Sequence, residues 1–446
     1  MAFNPLTEKG TPLEKQIRNW KQLVMAPYPK QLVDAYTRCR IILMNGIENE
    51  AAIFSHQFAR QSDNKELLAT LAQIRRAEHQ QQITVNYLNP ADATILETTI
   101  AYEQVAVDLT SYLARTEPDK YVKETFDFGL LEDFDHLYRY SQMLDLIEGK
   151  DPTEITQNKT DIFPGRPTQD HHNDPILRLR EHYQKNKAHP ISKVNILTLT
   201  AAEQQTWMFY KDHGWEYGSP ELRQLYAEIS NVEEEHVTQY ESLMDPNETL
   251  LEKWLLHEYT ECANYYTCYS TESDNRLKLL WETFLNYELE HLRIAGEMLK
   301  KYEGIEPEQI VGKELPTPGK FEENKEYVTQ VLNNTVDRRL TVGGFANKAD
   351  LPADWPSYRY QDLVNAYGVP SETVVSLRIA STGEELIRAN PQLVGRAAQF
   401  RIEALDANPA PNTAGAGLEE TEPMVNRALG PKQAMESNEF ADMFKK

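Results

Sequence analysis

Residues 231–241, NVEEEHVTQYE, put four acids and one histidine into eleven residues. Read with the segment before it, the stretch falls on one helix. Leu222, Tyr226, Ile229, Glu233, His236, Tyr240 and Leu243 follow one another at steps of 4, 3, 4, 3, 4 and 3. That spacing keeps all seven on a single face of a helix with 3.6 residues per turn. Five of the seven are apolar or aromatic, so the face is expected to meet the core. Glu233 and His236 therefore lie on the buried stripe, while Glu234 and Glu235 are expected on a solvated or intersubunit side.

Working outward, helices are expected at 190–213, 219–244, 246–270 and 274–302. SPEL at 219–222 offers a serine N-cap with proline at the first helical position. DPNE at 245–248 reads as a second helix start of the same kind. Subtracting 155 from each position reproduces the plan without gaps: Leu67, Leu71, Ile74, Glu78, Gln81, Val85 and Leu88 match the face above. The organisation expected is all-α, with two tandem four-helix units from an internal duplication. The first unit with its leading helix spans 1–148, a polar linker 149–174, the second unit 175–303 and an irregular, partly helical extension 304–446. Short leading helices are expected at 12–25 and 175–187, and further short helices near 320–334, 357–367 and 382–390. ANPAPNTAGAG at 407–417 reads as a flexible tract.

Composition narrows the function classes. The chain has 446 residues, with 69 acidic residues against 46 Lys and Arg, a formal net charge of −23. Such an excess of acid speaks against nucleic acid as a partner, which calls for a basic patch. No apolar run approaches the length of a membrane helix, so no membrane partner is expected. The start shows no signal-peptide core, and Cys39, Cys262 and Cys268 make neither a disulfide framework nor a CxxC pair, so a cytoplasmic location is expected.

The residues with chemistry recur at fixed intervals. Core-facing stripes of the second unit carry Glu203, Glu233, His236, Glu258, Glu288 and His291; the matching positions of the first hold Glu48, Glu78, Gln81, Glu103, Asp133 and His136. The interval from Glu203 to Glu233 equals that from Glu258 to Glu288. The first unit repeats it from Glu48 to Glu78 and from Glu103 to Asp133. Four carboxylates and two imidazoles in one apolar interior cannot stay charged and unpaired. Two divalent cations would neutralise the carboxylates, and a Glu and a His at i and i+3 share a helix face and can reach one metal.

This inventory resembles the ferritin-like and rubrerythrin superfamily of di-iron carboxylate proteins, in which two helices each give a Glu and two each give Glu-x-x-His. The resemblance runs through the helices of both units. It implies two irons per complete site, manganese being an alternative, with Glu233 and Glu288 bridging, Glu203 and Glu258 terminal, and His236 and His291 each on one metal. No catalytic residue separate from the ligands is implied. It further implies reaction with O2 or peroxide of ferroxidase or peroxidase type; a manganese catalase, a substrate-oxidising oxygenase and a non-catalytic scaffold with a structural metal are the alternatives. No rubredoxin-like CxxC pairs are present, so electrons would come from an external donor. Glu261, one turn past Glu258, resembles the extra rubrerythrin carboxylate, or is a solvated acid; its counterpart Ala106 cannot ligate.

The hairpins, each with a Glu followed by Glu-x-x-His, are also similar to those of encapsulated ferritins, whose sites form between two hairpins. A tight turn expected at Met244-Asp245-Pro246 favours up-down-up-down order over a ferritin crossover. The partner of the Glu203–His236 hairpin is thus left open among Glu258–His291, a hairpin of the first unit, and a second chain in a homo-oligomer. LTVGG at 340–344 resembles peptides that load cargo into encapsulin shells, an ordinary strand or loop being the other reading. Gln81 marks a weakened or differently loaded first site, and Glu132 is a substitute for the shorter Asp133. Tyr210, Tyr240 and Tyr265 are expected to pack in the core, Cys262 to be a buried small residue, and His171 and His172 to be solvated.

Overall fold

The structure is a computed structural model and describes residues 3–389. It is an all-α protein. In chain order the helices are α1 (Trp20–Leu23), α2 (Ala35–Arg60), α3 (Lys65–Asn86), α4 (Ile95–Thr116), α5 (Lys120–Glu148), α6 (Thr153–Thr156), α7 (Pro190–His213), α8 (Pro220–Glu241), α9 (Leu250–Thr271), α10 (Asn275–Glu303), α11 (Lys325–Thr335), α12 (Pro356–Val364) and α13 (Pro370–Thr382). The strands β1 (Arg338–Thr341) and β2 (Gly344–Asn347) form a two-stranded antiparallel sheet. No helix among the described residues is long and apolar enough to cross a membrane.

The offset between the two halves holds in the local physics. Helices α3, α4 and α5 have the same bounds as α8, α9 and α10 once the offset is applied. Thr94 and Glu97 form a capping box on α4, and Thr249 and Glu252 form the same box on α9. Asp119 and Asp274 cap α5 and α10, and Gly149 and Gly304 end them in the left-handed conformation that favours glycine. The start of α9 differs from expectation. Asp245 stabilises the preceding turn by accepting from Asn247, and the true cap is Thr249, because Thr-x-x-Glu satisfies two orphan N–H groups reciprocally. The connection from α8 to α9 therefore runs through 242–249 and is longer than a tight turn.

The sequential hairpins α2–α3, α4–α5, α7–α8 and α9–α10 each pack as a pair. The pairs then combine in a nested way. The first and last hairpins enclose one buried acidic cluster, and the two inner hairpins enclose another. α2 lies along α7 at the seam between them. Gly46 permits that approach, since a Cβ there would lie 2.5 Å from the Gln205 amide. Gln205 in turn donates to the Ile42 carbonyl at 2.8 Å and accepts from Asn45 at 3.0 Å.

Several expectations are corrected. The leading segments carry short helices, as expected, but only single turns of them: one turn of 3-10 helix (Leu13–Lys15) and α1 in the first, and a 3-10 turn (Pro175–Arg178) in the second. Segment 149–174 is no solvated linker; Arg166, Thr168, His171 and Asn173 are fully buried against the inner hairpins. Gly165 is pressed so closely on α5 that a Cβ would sit 2.5 Å from the Leu131 carbonyl. The helix expected near 382–390 lies earlier, as α13, packed on α5 and α8. LTVGG lies in the β1–β2 hairpin: Thr341 pairs with Gly344, and Gly343 takes a positive φ of 65° at the second turn position, where glycine is favoured. Leu340 is buried beside Trp355, whose indole N–H donates to its carbonyl. The 407–417 tract lies outside the described residues.

Candidate metal centres

All seven residues of the opening stripe are buried, none more than 2% exposed. Glu233 and His236 point into the inner cluster, here called centre B, where α4 supplies Glu103, α5 Asp133 and His136, α7 Glu203 and α8 Glu233 and His236. Ligand atoms of Asp133, Glu203, Glu233 and His236 lie within 4.8 Å of one another, as do those of Glu103, His136 and Glu233. Centre A is built by the outer hairpins. There Glu78, Glu258, Glu288 and His291 form one such group and Glu48, Glu261 and Glu288 the other. Glu233 and Glu288 are each common to both groups of their centre.

This division answers the open pairing. The six residues of the second unit do not form one site. Glu203, Glu233 and His236 join Glu103, Asp133 and His136 of the first unit; Glu258, Glu288 and His291 join Glu48, Glu78 and Gln81. Each centre takes one hairpin from each half of the sequence.

His236 and His291 are oriented through both ring nitrogens. In His236, Nδ1 faces Glu233 at 2.9 Å and Asp133 at 3.3 Å, while Nε2 contacts Glu132 at 2.8 Å. In His291, Nδ1 faces Glu288 at 2.9 Å and Nε2 contacts Gln16 at 2.7 Å. An imidazole held by an outer partner on one nitrogen and presented by the other is the arrangement of a metal-ligating histidine. His136 also presents Nδ1, at 2.9 Å from Glu233. Three of the four acids on the first helices of the hairpins are held similarly. Tyr210 on α7 donates to Glu103 at 2.6 Å, its counterpart Tyr265 on α9 donates to Glu48, and Trp254 donates to Glu258 at 2.5 Å. These tyrosines are core residues, as expected, and they also position carboxylates. Tyr240 is buried and its hydroxyl has no partner among the described residues.

The electrostatics are those of cation sites. Both oxygens of Glu203 and of Asp133, and one each of Glu48, Glu78, Glu103, Glu258 and Glu261, are buried without a hydrogen-bond partner among the described residues. A buried ionised carboxylate costs several kcal/mol unless it is paired. Burial, helped by neighbouring acids, pushes the Glu203 and Glu78 carboxyls up to about 7. Burial likewise raises Glu48, Glu103, Glu258, Glu261 and Asp133. Glu233 goes the other way: burial opposes its charge, but His136 and His236 hold it at about 2. Burial would discharge His236, yet Asp133 and Glu132 keep its pKa well above the usual imidazole value. Oxygen-rich donors with one or two imidazoles, aimed at a shared point, fit divalent first-row metals.

The centres differ in one histidine and in their acids. The hairpins also repeat at 55 residues within each half, and that repeat puts Gln81 of centre A in the place of His136 of centre B; Gln81 donates to Glu48 at 2.8 Å and Glu288 at 2.6 Å. Glu261 reaches the group that lacks the histidine, and is buried rather than solvated. Its counterparts by the two repeats are Ala106 and Thr206, neither an acid. Centre A thus exchanges a histidine for a fifth carboxylate.

Around centre B the sequence concealed a charged surround. Arg178 is fully buried and bonds Glu132 and Glu235, each at 2.7 Å. Glu132 is therefore an outer partner of His236, held well below the usual carboxylate range: Arg178 and His236 override its burial. Glu235, expected in solvent, is buried by the same arginine; Glu234 is exposed as expected. His171 and His172 are buried too, with His171 bonded to the Arg166 carbonyl and His172 to Glu228. Position-by-position periodicity cannot find such residues, since Arg166, His171 and Arg178 come from outside the long helices. Cys262 is buried, as expected. Comparison with protein-family models, with curated proteins and with solved structures finds no significant match.

Proposed function

We propose that this chain is a di-metal carboxylate protein with two centres, holding iron in preference to manganese, and that it reacts with O2 or peroxide as a ferroxidase or peroxidase. The observation that carries the reading is the shared carboxylate in each centre, Glu233 in B and Glu288 in A, set between two groups of buried ligand atoms. When bound, a pair of irons would supply one-electron steps between ferrous and ferric states. The chain's own part is to neutralise and hold the ions. Hard carboxylate donors favour the oxidised metal. Tyr210, Tyr265 and Trp254 fix Glu103, Glu48 and Glu258, and Glu132 and Gln16 fix the imidazoles of His236 and His291. Burial of every ligand keeps bulk water away.

The test is metal content after expression with iron, combined with anomalous diffraction at the iron and manganese edges and the rate of Fe(II) oxidation. Two metals per centre are expected, with Fe(II) oxidised faster than in buffer. Absence of metal within bonding distance of Glu233 and His236 would sink the proposal. Bound iron without accelerated oxidation would leave a structural metal and remove the activity.

A further inference from the structure

The two halves can be compared at one place away from the metal centres. In the second half, Lys193 on α7 is 2% exposed and is neutralised by Glu248, Nζ to Oε1 at 3.1 Å. Tyr183 donates to the same carboxylate at 2.9 Å. Glu248 lies in the turn just before the Thr249 cap, its N–H bonded to the Asp245 carbonyl. Subtracting 155 gives Arg38, on α2, and Ala93, in the turn before the Thr94 cap with its N–H bonded to the Pro90 carbonyl. The backbone is equivalent and the cation is retained, but the carboxylate is gone.

Arg38 is left as a buried guanidinium, 5% exposed. Its Nη2 donates to the Ile155 carbonyl and, at 3.5 Å, to Gln104. Its Nε has no partner, and no carboxylate pairs with it among the described residues. Where the Glu248 side chain lies in the second half, the first half has a cavity of about 290 Å³ lined by both Arg38 and Ala93. Lys30 and Lys150 stand at the same cavity, both paired with Glu97, itself part of the lining, at 2.8 and 3.1 Å, and Glu154 is the other acid that lines it. Ile42, Pro90, Ala101 and Ile155 make its apolar wall. Pockets for small molecules combine such a wall with a few placed polar groups, and about 290 Å³ lies just below the usual range, which suits a small ligand.

We propose that this cavity binds a small aliphatic carboxylate, whose head group pairs with Arg38 as Glu248 pairs with Lys193 and whose chain lies on the apolar wall. The site is separate from the metal ligands and stands whether or not the centres hold iron. The experiment is calorimetry on the full chain with hexanoate, with inorganic phosphate and hexylamine as comparison probes, in wild type, A93E and R38M. Saturable hexanoate binding is expected in wild type, with hexylamine silent. A93E restores the internal carboxylate, and should weaken hexanoate at least tenfold while raising Tm. R38M should also lose binding; if it does not fold, A93E carries the test alone, since it keeps every charged side chain of the cavity. No saturable hexanoate binding to wild type, or undiminished binding to A93E, would overturn the site. Phosphate bound as tightly as hexanoate would overturn the carboxylate assignment.

Discussion

Arg178 shows how much of centre B depends on a residue that ligates nothing. It is fully buried and neutralises Glu132 and Glu235 together, so R178M leaves Glu235 without its cation in a dry interior, and leaves Glu132 to Arg166 and His236 alone. Removing one partner of a buried ion pair costs about 3–5 kcal/mol. R178M should lower the urea midpoint accordingly, and an unchanged midpoint would mean that water reaches Glu235. At Gln81, the missing histidine predicts a gain: Q81H should tighten the second metal of centre A in a competition titration, and leave centre B unchanged. Acidity follows a definite sign. Glu78 and Glu203 ionise at about 7 in the folded, metal-free protein, above the usual carboxyl value. Raised carboxyls, like the raised His236, stabilise the fold below their unfolded pKa and lose that contribution as pH rises through the folded one. Metal-free protein should therefore lose Tm as pH rises from about 5 to about 8, and metal should restore it while expelling protons. Calorimetry in buffers of different ionisation enthalpy counts those protons; none released near neutral pH would contradict the assignment.

At the scale of elements, the helices were legible because each buries one stripe at a 3–4 spacing. The stripe residues of α8 could be named in advance, Glu233 and His236 included, with Leu243 falling in the turn just after the helix. The ends were less legible where two signals competed, as at α9, where a reciprocal Thr249–Glu252 box prevails over the earlier Asp-Pro. T249A should cost about 1 kcal/mol, with a similar loss for T94A in the matching box, read by denaturant unfolding. Equal losses at both would show that the repeated caps do equal work. Segment 149–174 was misread for a different reason. Its polar composition resembles that of a linker, but the polar groups turn inward: Asp135 accepts from the Gly165 N–H at 3.2 Å, and Arg166 donates to the Phe128 carbonyl at 2.8 Å. Inward polarity satisfied by partners far along the chain leaves no periodic trace.

At the scale of the whole molecule, spacing identified the clustered acids and histidines and the hairpins that carry them, but not which hairpins meet. A Glu-x-x-His pair reads the same whatever stands opposite it, and the pairing shows only in the packing of α2 on α9 and of α4 on α7. Because Glu233 and Glu288 belong to different centres, E233A should remove the metals of B and spare those of A, and E288A the reverse. Metal content falling to zero in either variant would show the centres to be interdependent. The nested order also sets a timetable during synthesis, when the N-terminal part emerges first. Centre B has all its ligands once His236 has been made, whereas Gln81 waits until Glu258 and its hairpin follow. At about 5–20 residues per second that wait is on the order of ten seconds or more. The hairpin that must stay unpaired for longest is the one of the four whose carboxylate-x-x position lacks a histidine, and so is the poorest at seizing a stray ion before its partner arrives.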